Sequence, residues 1–126
     1  MEYRQLLVEP DDDLRGLLLI LFRQYPNLDT VACDSFAQAV DVVERANVKG
    51  SPFSMIFTES RLPDGSGFDL AEDHGARVPV FIFAANAARI YQAHGQDLTN
   101  LGVRALIQKP FSPAEVRGLI EQIIVH

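Results

Sequence analysis

Several carboxylates and cations of this 126-residue chain stand directly after apolar segments. Glu9 and the run Asp11-Asp12-Asp13 follow one apolar segment, Glu59 and Arg61 follow another, and Lys109 follows a third. Acids gathered from such places could hold a hard divalent cation, which takes oxygen ligands, or be neutralised by Arg61 or Lys109. The aspartate run has a plainer reading as a helix start, because acids favour the positive end of the helix dipole. Other chemistries are poorly provided for. His74, His94 and His126 are 20 and 32 residues apart and show no metal-ligand spacing. Gly65-Ser66-Gly67 lacks the third glycine and the long spacing of a phosphate-binding loop and reads as a turn. There is no Ser-His-Asp constellation and no aromatic pair for stacking a flavin, so a small cofactor binder or hydrolase is the least supported class.

The elements that must position these groups are read from hydrophobic spacing. Leu6-Leu7-Val8 is a strand, and Leu14, Leu17, Leu18, Leu21 and Tyr25 share one face of a helix over 12–25. A short strand at 30–33 and a helix from Ser35 to about Ala46 follow, and Gly50-Ser51-Pro52 breaks the chain. Residues 53–58 read as a third strand, 68–73 as a short helix, and Val80-Phe81-Ile82-Phe83 as a fourth strand whose Phe81 and Phe83 belong to the core. A helix over 86–97 and a fifth strand, Ala105-Leu106-Ile107, come next. Ser112-Pro113-Ala114-Glu115 then supplies an N-cap, a first-turn proline and a capping-box glutamate for the last helix.

Five β-α units in series predict an α/β fold, a doubly wound parallel sheet of five strands with five helices on its two faces. Ligands of such sheets lie beyond the carboxyl ends of the strands, where strand order reverses, and in the order 2-1-3-4-5 that crevice lies between the first and third strands. The residues to inspect are therefore 9–13, 59–61, 84–86 and 108–111. The length suits a single domain over 1–126. Hydrophobic residues make up 48% of the chain, enough for a real core. Eleven Lys and Arg against 17 Asp and Glu give a net charge of −6, the wrong sign for gripping nucleic acid or an anionic membrane. No apolar run approaches a membrane span, and the start, Met-Glu-Tyr-Arg-Gln, lacks the order of a signal peptide. With the single Cys33, unable to form an internal disulfide, this points to a reducing, cytoplasmic address.

Three segments taken in order, Leu6-Leu7-Val8-Glu9-Pro10-Asp11 with Arg15 behind it, Glu59 to Gly67 with its Leu-Pro-Asp-Gly-Ser-Gly, and Lys109-Pro110-Phe111, resemble the receiver domain of bacterial two-component response regulators. The resemblance spans nearly the whole chain and implies a flavodoxin-like fold. It further implies that an aspartate at the end of the third strand, four residues before the proline, takes a phosphoryl group from a histidine kinase with help from a divalent cation. Here Pro63 puts that position at Glu59. The acidic pair after the first strand matches Glu9 and Pro10, so one carboxylate is lost. The switch Thr or Ser matches Ala84, and the aromatic that moves with it matches Leu106. Lys109 keeps the family residue, and the resemblance implies a cis bond before Pro110.

These departures carry physical consequences. A glutamate reaches about 1.5 Å further than an aspartate from the same backbone, and in-line attack tolerates little displacement. Magnesium wants octahedral oxygen ligands, and proline offers no side-chain oxygen, so a site from Glu9, Glu59 and the Arg61 carbonyl would be weak. Arg61 could instead neutralise the crevice without metal. A carboxylate at Glu59 facing Lys109 imitates a phosphorylated aspartate only in part, having fewer oxygens and less charge. The expectation is a receiver-like signalling domain, a pseudo-receiver outside the usual phosphorelay, with no catalytic residue, no enzymatic activity and no cofactor, acting by protein–protein contact. Its partners would be another signalling protein or a histidine kinase-linked pathway, or a second copy meeting it through the 86–97 helix, the fifth strand and the last helix, where Tyr91, Arg104 and Arg117 lie. The alternative is a phosphoryl acceptor that uses Asp11 or Asp64 with magnesium. The apolar 123–125 stretch suggests a linker to more protein.

Overall fold

The computed structural model describes residues 3–124; Val125 and His126, named above, lie outside them. The elements are β1 Tyr3–Val8, α1 Asp12–Phe22, β2 Leu28–Cys33, α2 Phe36–Val48, β3 Met55–Glu59, α3 Gly67–His74, β4 Val80–Ala84, α4 Ala87–Leu101, β5 Val103–Gln108 and α5 Pro113–Ile123. The strands form one parallel sheet in the order β2-β1-β3-β4-β5. Between β3 and α3 a small ribbon pairs Arg61–Leu62 antiparallel with Gly65–Ser66. No helix among the described residues is long and apolar enough to cross a membrane.

Alternation along the strands divides the interior in two. Leu6, Val8, Ile56 and Ile82 face one way and pack with Val43 of α2, Leu70 of α3 and Leu98 of α4. Leu7, Phe57, Phe81 and Phe83 face the other way, under Leu18 and Phe22 of α1 and Val116 and Ile120 of α5. This second layer is built on aromatics. Phe57 stacks on Phe81 with centroids 4.7 Å apart and also meets Phe22 at 5.5 Å, and Phe83 reaches Phe111 at 4.9 Å.

Helix ends follow local chemistry, and several sit apart from the sequence reading. α1 ends at Phe22 rather than Tyr25, because Pro26 disfavours helical backbone at the residue before it. Tyr25 still packs on the α1/α5 core. Asp11 caps α1 by accepting from Leu14 N, so the aspartate run is a helix start. β3 begins at Met55, and β2 and β5 run longer than their apolar cores because their neighbours pair with the flanking polar residues. α4 extends to Leu101, is kinked at His94, and ends on Gly102, whose φ of 84° favours glycine. The capping box of Ser112 and Glu115 is formed.

Phe57 is fully buried at the centre of the aromatic layer. Phe57→Ala is expected to cost about 3–5 kcal/mol, read as a lowered midpoint in equilibrium urea unfolding at an unchanged slope.

Candidate functional site

The crevice forms where four strands end. Glu59 is the last residue of β3 and Ala84 of β4, while Glu9 and Lys109 directly follow β1 and β5. Backbone hydrogen bonds carry the ladder past the strands, Glu9 N–H to Cys33 O, Ser60 N–H to Phe83 O and Lys109 N–H to Ala84 O, so the four positions are held side by side. Gly67 closes the floor, since a Cβ there would stand 2.6 Å from the Glu59 carbonyl oxygen.

Within this frame Lys109 Nζ is ion-paired with Glu59 Oε2, and Ser60 Oγ donates to Glu59 Oε1 at 3.3 Å. Glu59 is mostly buried, its side chain 13% exposed. A buried charge is costly when unpaired, and Lys109 supplies the partner for Glu59. Glu9 is deeper, at 2% exposure. Its Oε2 accepts from Asp11 N–H at 3.1 Å, while Oε1 is buried with no hydrogen-bond partner. Burial, the largest influence, holds the Glu9 carboxyl above the usual glutamate range; the Asp11 N–H opposes this, Glu59 adds to it and Lys109 opposes it.

Arg61 does not fill the role of a cation substitute. It is exposed and makes no ion pair among the described residues; the cation on Glu59 is Lys109, and Arg15 is the guanidinium nearest the first loop. Arg15 donates to the Glu9 carbonyl oxygen at 2.8 Å and pairs with Asp12. Asp64, named as an alternative acceptor, is turned to α2, where its two carboxylate oxygens accept from Phe36 and Ala37 N–H at 2.7 and 3.0 Å. Those two bonds hold its carboxyl below the usual range. Asp11 is likewise engaged as the cap of α1. Glu9 and Glu59 are brought together, yet among the described residues no three His, Cys, Asp or Glu side chains gather as a metal-binding group. As a donor set for magnesium these two fit poorly: the Glu59 carboxylate is paired with Lys109, and Glu9 is buried.

Two contacts were missed from sequence. Gln108 accepts from Ala87 N–H at 2.8 Å and donates to Ala85 O at 2.5 Å and Lys109 O at 2.7 Å. One amide thus joins the loop after β4 to the loop after β5 and caps α4, whose own N-cap Asn86 makes no side-chain bond. A polar residue closing an apolar strand beside Lys109 was the available signal. Tyr91 reaches from α4 to accept the Leu106 N–H at 2.6 Å, so it ties α4 to the edge strand β5 rather than standing free. Ala84 is fully buried and Leu106 nearly so.

Gln108→Leu is expected to cost about 1–2 kcal/mol, the range for a lost helix cap, with faster hydrogen exchange at Ala87. For Glu9 the raised carboxyl means that the folded state keeps a proton the unfolded chain releases. Its contribution is best below the unfolded value near 4.5 and declines as pH rises through the folded value. Glu9→Gln is therefore expected to raise the melting temperature at neutral pH, with the gap to the wild type narrowing as pH falls through the carboxylate range.

No family model matches the chain. In sequence it is similar to the sensory transduction protein LytT of Enterococcus faecalis, 30% identical over 120 residues, a match covering 93% of this chain. The chain spans less than half of that relative, 46% of its length. Among solved structures, the non-phosphorylated HemR receiver domain of Leptospira biflexa superposes with a TM-score of 0.79 at 27% identity, covering 99% of this chain and 98% of that one. The receiver domain of the sensor histidine kinase PA1611 of Pseudomonas aeruginosa, solved with magnesium in its active-site cleft, matches with a TM-score of 0.75 at 22% identity over 98% of each chain. The chain thus has the flavodoxin-like receiver-domain fold, and its likeness in sequence is to proteins of signal transduction.

Proposed function

We propose that this domain is an atypical receiver that serves signal transduction by protein–protein contact and independently of aspartyl phosphorylation. The observation that carries the reading is the ion pair between Glu59 and Lys109, which fills the acceptor position with a longer carboxylate already neutralised from within. A nucleophile bound to a resident ammonium and displaced by one carbon from the in-line position is a poor phosphoryl acceptor. Asp11 and Asp64 offer no replacement, each being engaged in capping a helix. The domain needs neither magnesium nor another cofactor for this role and is not an enzyme.

The switch is replaced by a fixed arrangement. Ala84 has no hydroxyl to follow a phosphoryl group, and the place of a moving loop is held by the three bonds of Gln108. A static side chain sets the resting ratio of two states and does not shift it, so the controlling signal comes from a binding partner. Both the kinase-linked pathway and the cytoplasmic address belong to this reading.

The test is intact-mass spectrometry after incubation with acetyl phosphate and magnesium, for the wild type beside Glu59→Asp. The wild type is expected to gain no phosphoryl group. A gain by the aspartate variant alone would show that Glu59 is the sole bar; no gain by either would place the bar at Pro10 and Ala84 as well. Phosphorylation of the wild type would overturn the proposal.

A further inference from the structure

Four large apolar side chains stand exposed among the described residues, Leu17 (65%), Ile20 (59%), Val48 and Tyr91. Tyr91 is spoken for by the Leu106 N–H, and Val48 is isolated at the end of α2. Leu17 and Ile20 adjoin on α1. With Asp13, Gly16 and Arg23 they follow the spacing of one helix face. Gly16 sits in the middle of this helix, where glycine is destabilising, and a Cβ built there would meet nothing within 4 Å. Packing inside the chain gives no reason for it. At the two ends of the stripe, Asp13 and Arg23 are exposed, opposite in charge, and in no ion pair among the described residues.

We propose that this stripe is an interface between two copies of this chain, with α1 packed antiparallel on α1 about a two-fold axis. An isologous contact requires a surface complementary to itself, and this one is. The offset that sets Asp13 opposite the second copy's Arg23 also sets Gly16 opposite the second copy's Ile20. One register therefore makes two ion pairs and seats two isoleucines over two glycines, where the missing Cβ lets the helices approach. Antiparallel helices also place opposite dipole ends together. Beside the stripe a groove of about 610 Å³, bounded by Leu17, Ile20, Pro110, Phe111 and Pro113, leaves room for the second copy's Leu17. The interface centres on α1 and reaches the start of α5, leaving α4 and β5 uncovered, and it does not rest on the chemistry of the crevice.

Sedimentation velocity of the 126-residue chain from micromolar to millimolar concentration tests it. The wild type is expected to form a dimer that weakens with salt, and Leu17→Glu to raise the dissociation constant by at least about tenfold. Gly16→Leu should also weaken the dimer while circular dichroism shows an intact, equally or more stable fold. Asp13→Arg and Arg23→Asp should each weaken it, and the two together should restore it. A chain monomeric throughout would overturn the proposal and leave the ridge to a different protein. A dimer indifferent to Leu17→Glu, or a charge exchange that fails to restore association, would overturn this interface.

Discussion

A parallel sheet buried on both faces allows its chain to turn only beyond the strand ends, and everything else in the molecule follows from that constraint. Each crossover needs a helix, and the helices must cover both faces because the central strands β1, β3 and β4 are buried on both sides. The carboxyl ends of β1, β3, β4 and β5 are thereby collected along one edge. Residues separated by up to a hundred positions, Glu9, Glu59 and Lys109, become neighbours with no local sequence signal joining them. The aromatic layer of Phe22, Phe57, Phe81 and Phe83 packs beneath that edge.

At the edge, electrostatics decides what the crevice can do. Two carboxylates share a poorly hydrated place, and the chain supplies one ammonium. Lys109 goes to Glu59, and burial holds the Glu9 carboxyl above the usual glutamate range. One ammonium thus meets the carboxylate at the end of β3 from within the chain. The same economy marks the loops: Gln108 satisfies three backbone groups with one amide, so the segments after β4 and β5 are joined by hydrogen bonds rather than left to exchange partners.

The two helix faces of the sheet are consequently unlike in their dealings with solvent. On the α4–β5 side the one large exposed aromatic, Tyr91, is bonded to the edge strand. On the α1 side Leu17 and Ile20 form an apolar ridge that stands exposed among the described residues. The crevice lies between these regions and touches the second through Lys109 and Pro110, which border the groove beside α1.

The amino-acid sequence by itself determined the element order, the parallel topology and the identity of the crevice positions, because strand and helix periods are local and the ligand edge of such a sheet is a topological consequence. The aspartate run was legible as a helix start and Ser112 as a cap for the same reason: both effects act within one turn. Only the tertiary structure decided which cation meets Glu59. Arg61 is two residues away in sequence yet leaves on an exposed ribbon, whereas Lys109, fifty residues away, is delivered by strand pairing. It also decided that Asp64 serves α2, that Tyr91 serves β5, and that Gln108 bridges two loops, since each bond joins segments whose proximity exists only once the sheet is assembled. Strand and helix ends shifted for a related reason, with pairing partners and Pro26 overruling the apolar pattern by a few residues.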